Sequence, residues 1–453
     1  MTYDLMVIGG GPGGGWAVQV AAEAGLKPVL FEKRYLGGVC LNEGCIPSKT
    51  LLNCAKRYRH ARDSAAYGVT AGDVRFDIRT AMARKDKIVA ALRRGSESSK
   101  KKLGIPVVLQ KADILPPENG VLRVKAGDTV YEGKRLLIAT GSEAIRPPIP
   151  GADRPFVLTN REMLSIDYVP QRLVIIGGGV IGLEFATFFA EVGSSVTVIE
   201  MLPKIAGQLD DDVRKVLQGE LEKKGVKIHT QSTVTGIGDR TVTFQAKDGT
   251  AETVPGDVVL LSVGRRPVVK DYGLENLGVL VERGAIKVDE HGRTNVPNVW
   301  AAGDVNGVSM LAHTASREVE VCVDDMLGKP SHIRYENIPN VIYTHPEAAS
   351  VGLTAAQAAE RGYDVVEHRL PLTFNGRYLA ETDGERGIIK VVAERQYGTV
   401  LGVHMAGGEC SEMIHGATLI VESELRVADV RDVVFPHPTV SEIIKDTIVD
   451  MKL

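Results

Sequence analysis

Cys40 and Cys45, five positions apart in the segment GGVCLNEGCIPSK (37–49), are the residues best placed by type and spacing to do chemistry. A thiolate is the nucleophile of disulfide exchange, so a close cysteine pair offers two-electron exchange with another dithiol or disulfide. Regular helix would turn the two onto different faces. A bridge between them needs a local distortion, which Gly44 permits. Pro47 in a first turn marks a helix beginning near Cys45. The positive end of that helix would hold a thiol below its free value of about 8.5. A metal site is one competing use, but no second cysteine pair or nearby histidine completes a zinc set. Two buried structural cysteines are the other, and that use does not explain why the pair directly follows a nucleotide signature.

That signature is one half of an internal repeat. Residues 4–32 read DLMVIGGGPGGGWAVQVAAEAGLKPVLFE, and residues 172–200 read RLVIIGGGVIGLEFATFFAEVGSSVTVIE. Each is an apolar strand, a G-x-G-x-x-G turn, an amphipathic helix, a helix-ending glycine and a second strand closing on Glu. Gly9, Gly11, Gly14 and Glu32 match Gly177, Gly179, Gly182 and Glu200, all offset by 168 positions. The first glycine permits the tight turn, the second lets backbone approach a pyrophosphate, and the third lets helix and strand pack closely. The pyrophosphate rests on the helix N-terminus, and the acid accepts hydrogen bonds from ribose hydroxyls. A single copy would be a weak signal. The whole unit twice implies two dinucleotides.

Shorter elements complete the frame. Leu136–Gly141 (LLIATG) and Leu260–Gly264 (LLSVG) are apolar strands ending in glycine, each closing a nucleotide domain. The Pro-rich run Arg146–Gly151 reads as a linker. Val299–Asp304 (VWAAGD) ends in a carboxylate that could bind the polyol of a flavin nucleotide, or simply close a turn. From about Asn340 short strands such as Ile388–Val392 mix with helices such as Met413–Ser423, an α+β pattern.

Bulk properties narrow the class. A chain of 453 residues is too long for one core. Apolar residues make up 44% and charged residues 25%, as in globular proteins. With a formal net charge of −3 and no basic block, neither nucleic acid nor an anionic membrane is an expected partner. No basic n-region precedes an apolar stretch, so no signal peptide is expected. The most apolar region, Leu173 to Ala190, is interrupted by three adjacent glycines and Glu184, so no membrane span is expected. Five cysteines, an odd and low number, argue for a reducing, cytoplasmic compartment.

GGVCLNEGCIPSK, the doubled fingerprint, VWAAGDVNG (299–307) and HPTVSE (437–442) together resemble the Cys-pair flavoprotein disulfide reductases, members of the pyridine nucleotide–disulfide oxidoreductases. The resemblance runs in order over essentially the whole chain. It implies FAD in the first repeat, bordered by Gly9, Gly11, Gly14, Glu32, Lys49, Gly141, Asp304 and Ala312. It implies NAD in the second, bordered by Gly177, Gly179, Gly182, Glu200 and Gly264. It also implies that Cys40 exchanges with substrate while Cys45 sits against the flavin, and that Lys49 and Glu184 pair near the flavin. Without the resemblance those two read as a helix-face lysine and a glutamate covering a helix end. His437, with Glu442 five residues on, becomes the acid–base pair: a neutral imidazole takes a thiol proton and a carboxylate holds the ring. A lone His-Pro is more often a loop histidine. The terminal domain is expected to form a two-fold homodimer and to present His437 to the partner's cysteines.

Within the family the wording looks most like the dihydrolipoamide dehydrogenases. That branch implies oxidation of a protein-bound dihydrolipoyl group with NAD+. The expected partner is a lipoyl-carrying protein, either the acyltransferase of a 2-oxo acid dehydrogenase complex or the lipoyl protein of glycine cleavage. Glutathione-type reductases usually carry early arginines where this chain has Trp16-Ala17-Val18-Gln19. Mercuric and large thioredoxin reductases carry an extra C-terminal thiol pair where this chain ends Asp450-Met451-Lys452-Leu453. Glu200 favours NAD, because a carboxylate there repels a 2′-phosphate. One departure stands out: Phe435, followed by Pro436, occupies the place of a second histidine usual in that branch. Another NAD(P)H-dependent disulfide reductase, or a flavin-binding assembly subunit, is the alternative; joint retention of Cys40, Cys45, Lys49, Glu184, His437 and Glu442 favours an active enzyme. The expected fold is α/β, with two Rossmann-like dinucleotide-binding domains plus a C-terminal α+β dimerisation domain. The expected limits are 1–145 and 269–339 for the FAD-binding domain, 146–268 for the NAD-binding domain and 340–453 for the dimerisation domain.

Overall fold

The computed structural model describes residues 2–453. The chain divides into two compact units, one of Met1–Thr50, Arg79–Ile145 and Gly264–Tyr335, the other of Leu51–Ile78, Arg146–Val263 and Glu336–Leu453.

The first unit is built on a five-stranded parallel sheet in the order Val299–Ala301, Leu136–Ile138, Leu5–Ile8, Pro28–Phe31, Val107–Val108. Such a sheet is covered on both faces, which is why these strands are unbroken apolar runs rather than alternating ones. Period-2 alternation sorts their side chains between two cores. Leu5, Val7 and Leu30 join Ala17, Val18, Val319 and Val323. Met6, Ile8 and Phe31 turn the other way, toward Ile114, Val124 and Ile286. The helix Pro12–Glu23 packs beside the helix Ala312–Met326 on the first face. A four-stranded sheet of Thr2–Tyr3, Thr129–Gly133, Val121–Ala126 and Ala112–Glu118 completes the unit.

In the second unit the parallel sheet runs Val157–Leu158, Val258–Leu261, Arg172–Ile176, Ser195–Ile199, Lys227–His229. Its register repeats that of the first unit at the same offset: Leu5 pairs with Pro28 and Leu173 with Val196, through to Ile8 with Phe31 and Ile176 with Ile199. The sequence repeat is therefore a repeat of hydrogen-bond register. The terminal segment is a five-stranded antiparallel sheet, Asn340–Ile342, Glu347–Gly352, Val400–Gly407, Ile388–Glu394, Val365–Pro371. Residues of Cys410–Glu422 and Glu442–Val449, including Met413, Ile414, Ile443 and Ile444, share a buried core with Ile389, Val391 and Met405. The expected α/β architecture with two dinucleotide-binding folds and an α+β terminal domain is borne out.

Two ionic clusters lie within the second unit. Lys390, on a central strand, binds Asp210, Asp212 and Glu367 at 2.9–3.3 Å. At the other end of the helix Asp211–Lys223, Lys224 donates to Glu191 and to the His345 carbonyl, both at 2.8 Å, while His345 Nε2 meets Glu385 at 2.9 Å. Burial keeps the His345 imidazole below its ordinary pKa. Burial alone would raise Glu385, but the bond from His345 and the charges of His345, Arg59 and Lys224 outweigh it and hold the carboxyl low. Among the described residues no helix is long and apolar enough to cross a membrane, and no group of three or more His, Cys, Asp or Glu is placed to hold a metal.

Candidate active site

The cysteine segment folds as two helices with a break. Gly38–Glu43 forms one short helix, Gly44 leaves helical geometry at φ −148°, ψ −108°, and a long helix runs Cys45–Arg62. The break at Gly44 turns Cys45 back toward Cys40, and the two sulfurs meet in a hydrogen bond. That bond, with burial adding to it, pushes the Cys40 thiol far above its ordinary pKa, while the Lys49 ammonium pulls the other way. Cys45 heads its helix, where the dipole favours a thiolate, and Lys49 lies one turn further along.

Neighbouring side chains hold the short helix. Asn42 donates to the carbonyls of Leu36 and Gly38 at 3.0 and 2.9 Å and accepts two bonds from Arg93. The Arg93 guanidinium stacks 3.8 Å from the centre of the Tyr35 ring. Glu43 pairs with Arg34 at 2.6 Å, which accounts for an acid between the cysteines. The loop in front is pressed onto the first nucleotide turn: Gly38 has φ +56°, and a Cβ there would stand 2.6 Å from Gly11 Cα.

The two nucleotide turns are near copies. A Cβ on Gly9 would lie 2.1 Å from Ala139 O, and one on Gly177 2.3 Å from Ser262 O. Gly11 and Gly179 face open space, with nothing closer than 3.8 Å to a Cβ in either. Both are helix N-caps without a side-chain cap, so no protein oxygen competes with a phosphate for the first N–H groups. These cradles fit two dinucleotide pyrophosphates. Glu32 takes the Gly10 N–H at 2.7 Å on one oxygen and the Arg34 N–H at 2.7 Å on the other. Glu200 does the same with Gly178 at 2.6 Å and Leu202 at 2.7 Å. Each oxygen keeps a second lone pair for a ribose hydroxyl.

Asp304 follows the strand Val299–Ala301 and Gly303, whose φ is +77°. Its carboxylate accepts from Ser142 Oγ at 2.5 Å, and Ser142 accepts from Arg265 Nε at 2.7 Å. The buried Glu318 ties down the turn through Gly303 N and Asn306 Nδ2. Ala312 opens the helix that follows. Gly141 and Gly264 take φ of +71° and +115°. Both lie in the first unit, the Gly141 carbonyl accepting from Val268 and that of Gly264 from Ile145.

His437 and Glu442 are brought together in the second unit. His437 Nδ1 lies 2.9 Å from Glu442 Oε2, and the imidazole is 81% exposed. Phe435 packs against the terminal core. Glu184 is 5% exposed, and its Oε1 accepts the Tyr343 N–H at 3.2 Å. Sequence reasoning missed Ser142, Arg265, Glu318 and Asn375. The only local signal was the arginine following Gly264, because long-range partners leave no spacing to read.

Residues 3–318 match the family described as pyridine nucleotide-disulphide oxidoreductase, and residues 338–448 match its dimerisation domain. The mitochondrial dihydrolipoyl dehydrogenase of Pisum sativum is 38% identical over 98% of this chain and 90% of its own length. The dihydrolipoyl dehydrogenase of Bacillus subtilis is 38% identical over 97% and 94%. A leghemoglobin reductase of Glycine max is 37% identical over 98% and 86%. Among solved structures, LpdA of Mycobacterium tuberculosis superposes with a TM-score of 0.91 at 26% identity, covering 98% of this chain and 99% of that one. The flavoprotein disulfide reductase RclA of Escherichia coli gives 0.87 at 28% identity, covering 99% and 100%. With both models matched across nearly its whole length, the chain belongs to the pyridine nucleotide-disulphide oxidoreductase family, as an FAD-containing disulfide oxidoreductase that works with NAD(H) and carries its own dimerisation domain.

Proposed function

We propose that the chain is a dihydrolipoyl dehydrogenase, oxidising a protein-bound dihydrolipoyl group and delivering the electrons to NAD+. The observation that carries this reading is the exposed imidazole of His437 with Nδ1 tied to Glu442 at 2.9 Å. When Nδ1–H donates to the carboxylate, Nε2 is left as an outward-facing base. Nε2 accepts a proton from one substrate thiol, and Glu442 stabilises the imidazolium that forms. The substrate thiolate attacks Cys40 of the Cys40–Cys45 disulfide, forming a mixed disulfide and releasing Cys45 as a thiolate. The second substrate thiol then displaces Cys40, so the substrate leaves as the cyclic disulfide and the cysteine pair is reduced by two electrons. Bound FAD supplies the two-electron relay from that pair to NAD+. Cys45 at its helix N-terminus holds a thiolate, and Lys49 adds positive charge beside the pair. Gly9, Gly11, Gly14, Glu32, Gly141, Asp304 and Ala312 hold the FAD; Gly177, Gly179, Gly182, Glu200 and Gly264 hold the NAD. The flavin-side roles of Lys49 and Glu184 are those the family resemblance implies.

The partner is a lipoyl-carrying protein, the homodimer is formed through the terminal domain, and the compartment is reducing and cytoplasmic. The test is anaerobic bleaching of the flavin absorbance by dihydrolipoamide, set against other dithiols. Preferential bleaching by dihydrolipoamide is expected. Equal or faster bleaching by an unrelated dithiol would refute the substrate assignment.

A further inference from the structure

The dyad uses one oxygen of Glu442, and the other has its own partner. Asn375, 3% exposed, caps the helix Gly376–Glu381, its Oδ1 accepting the Tyr378 N–H at 2.9 Å. Its Nδ2 turns the other way. It donates to the Thr439 carbonyl at 2.9 Å and to Glu442 Oε1 at 3.3 Å. One buried amide therefore holds the carboxylate oxygen that His437 leaves and the backbone of the segment joining His437 to Glu442.

Capping alone does not require asparagine, because Ser, Thr and Asp cap as well. A hydroxyl also accepts and donates, but it has one donor on a shorter side chain; the amide accepts the Tyr378 N–H on Oδ1 while its two N–H groups serve both the Thr439 carbonyl and Glu442. A hydrogen bond to one oxygen narrows the rotations by which the carboxylate can offer its other oxygen to the imidazole. We propose that Asn375 is a positioning residue of the His437–Glu442 dyad, setting the orientation of Glu442 and through it the tautomer and proton affinity of His437. This rests on the reading of His437 as the proton carrier.

Other charges bear on the same place. Asp446 and Lys445 lie on the helix of Glu442, and burial together with Glu442 and Asp450 raises the Asp446 carboxyl. Lys445 is occupied by the Val433 carbonyl. On the sheet beneath, His368 pairs with Val391, on the face that carries this helix. Lys390 turns to the opposite face, with Glu367 and Asp212. In the preceding helix Asp429 is paired with Arg426.

The experiment compares Asn375→Asp and Asn375→Ser, both of which keep a cap acceptor, with the parent and with His437→Gln. All are full-length and flavin-loaded. Dihydrolipoamide oxidation is followed as a function of pH, beside NADH-to-dye transfer, which needs no thiol proton. Both Asn375 variants should lose roughly tenfold or more in dithiol oxidation, the size of a lost hydrogen bond to a charged group, and keep the dye rate. Asn375→Asp should also move the acid limb to higher pH, because a second anion stabilises imidazolium. Asn375→Ser should not move it upward. An unchanged rate and pH profile in Asn375→Asp would overturn the proposal, as would parallel loss in both assays, which marks a capping role alone. If His437→Gln spares dithiol oxidation, the parent reading fails. If His437→Gln is selectively impaired while the Asn375 variants are silent, only this inference fails.

Discussion

Gly14→Ala and Gly15→Ala place the same methyl group on adjacent residues of the helix Pro12–Glu23, and the structure gives the two changes opposite signs. A Cβ at Gly14 would stand 1.9 Å from the Gly9 carbonyl oxygen. To reach even 3.0 Å that oxygen must retreat by about 1.1 Å. Gly9 has nowhere to go: its N–H is bonded to Phe31 O at 2.8 Å, and its φ is already +108°. Overpacking among side chains costs about 1–3 kcal/mol, and here the obstacle is backbone, so about 3 kcal/mol or more is expected. At Gly15 the nearest atom is Gly10 O at 3.8 Å. There alanine's better helix propensity applies, a gain of about 1 kcal/mol. The variants should thus differ by about 4 kcal/mol. At roughly 2–4 °C per kcal/mol for units of this size, that separates their melting temperatures by roughly 10 °C. Flavin retained per purified chain and thermal melting check it. Gly15→Ala should keep its flavin and melt at or above the parent; Gly14→Ala should lose flavin and melt lower. A Gly14→Ala protein with full flavin and an unchanged melting temperature would refute the close-packing argument for the whole turn.

Further outcomes follow from the sites. His437→Gln should slow dihydrolipoamide oxidation by roughly 100- to 10,000-fold while sparing NADH-to-dye transfer; equal loss in both assays would refute the acid–base role. Mixed dimers of Cys45→Ser and His437→Ala chains should regain lipoamide activity that neither parent has, because one hybrid site is intact when sites are shared between chains; verified hybrids without recovery would sink that arrangement. Glu200→Ala should raise the KM for NAD+ more than kcat falls, and an unmodified protein that used NADP+ equally well would contradict the ribose role. The His345–Glu385 pair gives a pH dependence of stability. Both groups are depressed in the folded state, so the unfolded chain binds more protons and stability is lost as pH falls through and below the ordinary imidazole value of about 6.5. Melting temperature against pH should fall on the acid side, and His345→Gln should flatten the upper part of that slope; an unaltered slope would exclude His345 as its source.

What could be read from the sequence was local and periodic. Strand–turn–helix–strand units carry their own spacing, so Gly9 to Glu32 and Gly177 to Glu200 were legible, as were the parallel sheets built on them. The break at Gly44 and the helix starting at Cys45 were legible because glycine and proline act on their own backbone. Glu43 was not, since its partner Arg34 lies on a loop whose path depends on Gly37 and Gly38. Asn375 and Glu318 were hidden for a stronger reason. Asn375 takes its meaning from a carbonyl and a carboxylate 64 and 67 positions on, and Glu318 from a backbone N–H and an amide 15 and 12 positions back. No periodicity encodes such a meeting. Phe435 is the converse case: the departure was visible, but only packing shows that its ring belongs to the terminal core.

Glu32 and Glu200 each clamp two backbone N–H groups around their turn. The clamp is made wholly of protein atoms, so the loop has its binding shape before any nucleotide arrives. An incoming dinucleotide does not have to bear the ordering entropy of that loop, and more of its contact energy appears as affinity. The same clamp limits engineering: exchanging either glutamate to alter coenzyme choice also unties the loop, so a switch of preference must restore two backbone partners as well as welcome a new phosphate.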